Sequence, residues 1–266
     1  MSRFLIACVL LCLSAPLLAN PPSRIQANYE VLKGGIRIAV MTEIFSRQQD
    51  HYTLESISQA VWPLTMFKAE TIWVNSSGII TTQGLRPEAY TSRRKLDEDR
   101  DTRADFDWGK RQITLDDRAG RRTLPLPGGT QDRLSAMYQL MFLPLHDMHV
   151  LKFYMTNGSK VDDYTFDITH DQAVTTPLGT FNAVYLATPP EKNASRTEIW
   201  AVTERANFPY KLVITDPDGD AWVSILTGNE VADLCFGFRF ADRLNRHVYV
   251  VQEEYSNAIQ DCTFGS

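Results

Sequence analysis

Leu-Pro-Leu-Pro-Gly-Gly-Thr-Gln-Asp-Arg-Leu-Ser-Ala-Met-Tyr-Gln-Leu-Met-Phe, residues 124–142, is the one stretch that reads as a helix in a chain whose other segments alternate like strands. Leu134, Met137, Tyr138, Met141 and Phe142 recur at helical spacing, while Asp132, Ser135 and Gln139 share the opposite side. The pattern predicts an amphipathic helix over about 130–142. Gly128-Gly129 reverses the chain before it, Thr130 caps it, Asp132 sits near its positive end and Pro144 stops it.

Outward from that helix, residues 27–33 and 36–45 flank Gly34-Gly35, and 52–61 alternates Leu54, Ser56, Ser58 and Ala60 against Glu55, Ile57 and Gln59. Residues 67–74 continue the series into Asn75-Ser76-Ser77-Gly78, which reads as a turn before a short strand at 79–83. Further strands are expected at 105–108, 111–115 and 121–124, then after the helix at 150–155, 163–168, 181–187, 197–203, 210–215 and 221–226. Short strands at this density predict a mainly β fold, namely a curled antiparallel sheet or incomplete β-barrel with one docked amphipathic helix.

Arg3, the apolar run Phe4 to Leu13 and small residues ending at Ala19 read as a secretory signal peptide, residues 1–19. Periplasmic export follows as the expectation. Residues 20–228 read as a single β-rich domain and 229–266 as a C-terminal extension. Once the leader is removed, Cys235 and Cys262 are the two cysteines left, and an oxidising compartment favours their pairing as a disulfide. Closing that loop is worth about 3–4 kcal/mol on the chain-entropy model.

Loss of Arg3 leaves 26 basic against 32 acidic side chains, a formal charge of −6, which speaks against nucleic acid as a partner. The dense run Arg93-Arg94-Lys95-Leu96-Asp97-Glu98-Asp99-Arg100-Asp101-Thr102-Arg103 mixes both signs and reads as a solvated edge, with an anion site as the sharper reading. His146 and His149 could hold a metal with Asp147 but follow Pro144 in a loop without a further spaced ligand, and Asp216-Pro217-Asp218-Gly219-Asp220 lacks the glycine and terminal glutamate spacing of a calcium loop. No metal site and no cofactor are expected. A hydrolase would recruit Ser135, His146 or His149, and Asp132 or Asp147, but no nucleophile-elbow pattern surrounds the serine.

Ser77-Gly78, Gly84-Leu85-Arg86-Pro87-Glu88-Ala89-Tyr90, Phe106-Asp107-Trp108, Gln131-Asp132-Arg133-Leu134-Ser135, Thr176-Pro177-Leu178-Gly179 and Trp200-Ala201 occur in an order that resembles the bacterial envelope family called domain of unknown function 3108. The likeness spans residues 29–226. It implies an exported β-rich protein and supplies no activity. The curled sheet is also similar in topology to the incomplete barrels of periplasmic lipoprotein carriers, a likeness of fold alone.

An open half-barrel exposes an apolar concave face that a helix or a ligand must cover. The sequence therefore points to a non-catalytic protein that binds an apolar or lipid-like envelope component. Arg86, Asp132, Ser135, Met137, Tyr138 and Met141 are the candidate ligand-binding residues, with Arg86 a candidate ion-pair partner of Asp132. The alternative is an interaction scaffold for an envelope protein partner, working through sheet edges and the tail.

Overall fold

Alternation decides where each strand puts its side chains. In β3 (His51–Ala60), Tyr52, Leu54 and Ser56 are buried while His51, Thr53, Glu55 and Ile57 face out. The same period of two builds β1 (Arg24–Lys33), β2 (Ile36–Gln48), β4 (Thr71–Thr81), β5 (Gly84–Arg94), β6 (Thr102–Asp107), β7 (Gln112–Asp117) and β8 (Gly120–Pro125), each antiparallel to the one before. A second series follows: β9 (Gln131–Asp132), β10 (Val150–Thr156), β11 (Val161–Thr176), β12 (Gly179–Ala187), β13 (Arg196–Val202), β14 (Phe208–Thr215) and β15 (Ala221–Ala232). The computed structural model describes residues 22–62, 64–66 and 69–232.

β1 and β15 pair along their lengths, which joins both series into a single 15-stranded sheet with β8 at one end and β9 at the other. That is the expected open, curled antiparallel sheet. The β9–β10 pair is its parallel exception. Because strands twist, a sheet this wide curls on itself. β9 returns against β5, where the Gln131 side-chain amide donates to Leu85 O at 2.8 Å. Beyond that overlap, Thr102 of β6 donates to Asn157 O at 2.8 Å in the β10–β11 turn.

The helix is shorter than expected. Helix α1 covers Ser135–Gln139 and passes into a 3₁₀ turn at Leu140–Phe142. Residues 131–132 are not helical because they pair in register with Met155 and Thr156. Thr130 does not cap α1; its hydroxyl donates instead to Pro127 O at 2.8 Å. Asp132 takes over that task, as Oδ1 accepts the amides of Leu134 at 2.9 Å and Ser135 at 2.8 Å.

Asn75-Ser76-Ser77-Gly78 is likewise not a turn. It lies inside β4, with a bulge between Ser77 and Gly78, and β5 runs straight through Arg86-Pro87. The polar quartet is strand because Ser76 is buried against Asp132, and the glycine is needed because β5 backbone passes against it. The actual reversal lies at Thr82-Gln83, before Gly84 at φ +100°. At the far end, β15 runs to Ala232, since residues 229–232 pair with Ala27 to Arg24. The expected signal peptide at 1–19 and the Cys235–Cys262 disulfide lie outside the described residues.

Three apolar clusters form the core. The largest packs Phe45, Tyr52, Leu54, Leu85, Phe208 and Tyr210 around Leu134 and Tyr138 of the helical segment. Tyr138 stacks on Phe45 at 5.7 Å between centroids and meets Phe208 edge-on at 5.6 Å. The helix thus plugs the curl that the sheet leaves open.

Candidate functional site

Asp132 is fully buried, at 0 % exposure, beside an equally buried Ser135. Its Oδ2 accepts the Ser76 hydroxyl at 2.5 Å, and Ser76 in turn meets the Tyr52 hydroxyl at 3.2 Å. Ser135 closes the local loop, accepting the Asp132 amide at 3.0 Å and donating to Asp132 O at 3.2 Å. Burial pushes the Asp132 carboxyl up to about 6, while Ser76, Ser135 and the Leu134 amide pull it partway back. The carboxylate is a structural keystone that ties β4 to β9 and α1. Arg86, its expected partner, is exposed, and no hydrogen bond or ion pair joins the two among the described residues.

A second buried carboxylate, Glu43 of β2, has its pKa raised to about 7 by burial, offset by Tyr138, its cross-strand neighbour Ser56 and the charge of Arg133. The Tyr138 hydroxyl lies near enough to act on Glu43 but falls short of an aligned hydrogen bond, and it has no other partner among the described residues. Both carboxyls therefore bind protons more tightly folded than unfolded. The stability they contribute is full below about pH 4 and lost as pH rises through about 6 and 7, at roughly 3 kcal/mol each from 1.36 kcal/mol per unit. Asp117 has the opposite sign, its pKa held near 2 by Arg122, but its window lies in stronger acid. The melting temperature is expected to fall from pH 5 to pH 8, and Glu43→Gln should flatten that slope. A profile flat in the unaltered protein would refute this account.

The other side of α1 faces a cleft of about 390 Å³ bounded by the β4–β5 turn, the segment before β9 and β10. Ala136, Leu140 and Leu143, at i, i+4 and i+7, form one wall, and Leu85, Trp108 and Phe153 lie across it. Two glutamines clasp its margin. Gln139 accepts the Leu85 amide at 2.7 Å and donates to Gln83 O at 2.8 Å, while Gln131 donates to Leu85 O. Side-chain amides thereby satisfy backbone that would otherwise lie unpaired beside the cleft.

Of the expected ligand-binding residues, Arg86 lines this cleft. Asp132 and Ser135 belong to the buried network, and Met137, Tyr138 and Met141 pack on the helix's other side against the core. Leu140, Leu143 and Phe153 were not anticipated. Their signal was present in part, because 136, 140 and 143 form a second apolar stripe that merges with the first when the helix is treated as one-sided.

The hydrolase constellation does not assemble: Ser135 bonds to the Asp132 backbone, whereas His146 is exposed and pairs with Asp147 at 3.0 Å. Among the described residues no three His, Cys, Asp or Glu side chains converge as metal ligands. Asp216 caps its own turn, its Oδ1 accepting the amides of Asp218 at 3.0 Å and Asp220 at 2.9 Å.

No curated protein matches the chain. Among solved structures, a β-barrel-like protein of domain of unknown function DUF1849 from Brucella abortus is similar in fold, at a TM-score of 0.53 and 13 % identity. The match covers 80 % of this chain and 99 % of that one. A family model described as "Protein of unknown function (DUF3108)" matches residues 26–225, from β1 to β15, and so takes in the self-overlapping sheet, the plugging helix and the cleft between them. The chain belongs to this family of unknown function, DUF3108.

Proposed function

We propose that this protein is an exported, non-catalytic binding protein of the periplasm that holds an apolar or amphipathic envelope component in the cleft beside α1. The observation that carries the reading is the cleft itself, a mostly apolar opening in which one wall is helix and the other is sheet. Its volume lies near the lower end of the roughly 300–1,000 Å³ usual for small-molecule sites, which suits one acyl chain better than a multiply acylated lipid. Arg86 and Lys152 at its margin would meet an anionic head group.

The scaffold reading draws on the outer edge of β8, which pairs with no strand among the described residues. Arg121 and Arg122 lie on that strand, and charge of this kind guards an edge against strand addition. The cleft is the better supported site.

Calorimetric titration of the mature protein with dodecanoate is expected to give one saturable site, followed independently through the change in tryptophan fluorescence that Trp108→Phe should remove. Leu143→Glu should weaken uptake by about tenfold or more through the cost of a charge in an apolar wall; because Leu143 also packs against the Leu140 cluster, its melting temperature is measured alongside to separate lost binding from lost folding. Absence of saturable binding by any single-chain amphiphile would sink the reading.

A further inference from the structure

A second cleft, of about 310 Å³, opens on the other flank of β9 and is polar. Four arginines from separate segments line it: Arg94 at the end of β5, Arg100 in the turn before β6, Arg118 in the β7–β8 turn and Arg133 just after β9. Arg94, Arg118 and Arg133 have no ion-pair partner among the described residues, and Arg100 reaches Asp97 only at 3.9 Å. Arg94 is partly buried, and burial with the nearby charges of Arg100 and Arg133 lowers its pKa against the opposing pull of Glu70 and Asp97. Arginines gathered this closely, three of them without a paired carboxylate among the described residues, form an arrangement that an anion relieves.

The carboxylates present are differently used. Asp117 is taken by Arg122 at 2.9 and 3.1 Å, and Asp101 Oδ1 accepts the Arg94 amide at 2.8 Å. Asp99 and the second oxygen of Asp101 would repel a bare anion but accept hydroxyl protons, and Ser92 and Asn157 add neutral polar groups. A planar guanidinium fork donates two parallel hydrogen bonds to a pair of phosphate oxygens. From this pairing of cations with hydroxyl acceptors, we propose that the cleft binds a phosphorylated saccharide, the phosphate held by Arg94 and Arg133 and the sugar hydroxyls by Asp99 and Asp101. The site is separate from the apolar cleft and does not rest on it.

Calorimetric titration of the mature chain with glucose 1-phosphate and glucose 6-phosphate tests this, with inorganic phosphate, glucose and phosphatidic acid vesicles run alongside. At least one sugar phosphate is expected to bind at about 1 mM or tighter. Its affinity should exceed that of phosphate or glucose by about tenfold, and added salt should weaken it. Arg94→Gln and Arg133→Gln should each weaken it about tenfold, whereas Arg121→Gln, which lies outside the cleft, should not. Circular dichroism of each variant separates lost binding from lost folding, and the ligand comparison in the unaltered protein stands without any variant. Equal binding of inorganic phosphate, binding only to the vesicles, or no saturable binding would each overturn the proposal.

Discussion

Asp132→Ala is expected to destabilise the protein by about 3–5 kcal/mol, because it strands three buried donors at once, each worth roughly 1–3 kcal/mol when left unsatisfied. The amides of Leu134 and Ser135 lose their acceptor, and so does the Ser76 hydroxyl. The loss is not confined to α1, since Ser76 lies mid-strand in β4 and links onward to Tyr52 in β3. For a chain of this size the melting temperature should drop by roughly 10 °C or more. Asp132→Asn should cost less than about 1.5 kcal/mol, because its carbonyl still serves the two amides and its NH₂ can donate to Ser76, whose hydroxyl rotates. Arg86→Ala, exposed and unlinked to Asp132, should stay within about 0.5 kcal/mol. Thermal and urea unfolding of the three variants decide the matter: a loss below 1 kcal/mol for the alanine variant would remove Asp132 from its central place.

Gly78→Ala should be comparably severe, at about 3 kcal/mol or more, for a different reason. A Cβ there would stand 2.2 Å from Arg86 O and 2.8 Å from the Pro87 Cα. Both are backbone atoms of β5, so no side chain can swing aside, and the strands must part at the bulge that sets their register. Separation there would also pull Leu85 away from the two glutamines that clasp it. Gly128→Ala is the matched control, as a Cβ at that position meets nothing within 4 Å and φ is not in the left-handed region. It should be neutral or gain about 0.5 kcal/mol through a stiffer unfolded chain. Denaturation midpoints that fail to separate the two glycines would show that β4 and β5 are less tightly apposed than described.

Tyr52, Leu54 and Ser56 made β3 legible from residue types alone, because burial on one face imposes a period of two that nothing local contradicts. Ser76 shows where that reasoning stops. A serine in Asn75-Ser76-Ser77-Gly78 has the local preferences of a turn, and the partner that keeps it in a strand, Asp132, lies 56 residues away. Pro87 is held inside β5 by the same long-range pairing, since its missing N–H is tolerated at the bulge opposite Gly78. In the candidate site, Arg86 was the one anticipated residue to line the apolar cleft. Met137, Tyr138 and Met141 do form the helix's apolar side and pack against the core, while Asp132 and Ser135 belong to the buried polar network.

The sequence by itself determined the mainly β class, the single helical element and the family likeness, because each depends on periodicity or on ordered short motifs carried along the chain. Only the tertiary structure decided that the sheet overlaps itself instead of closing. That follows from accumulated strand twist and from β1 pairing with β15, residues some two hundred positions apart. It also decided which side of α1 fills the core and which borders a cleft, since both sides are apolar and the choice rests on what the curled sheet brings opposite each of them.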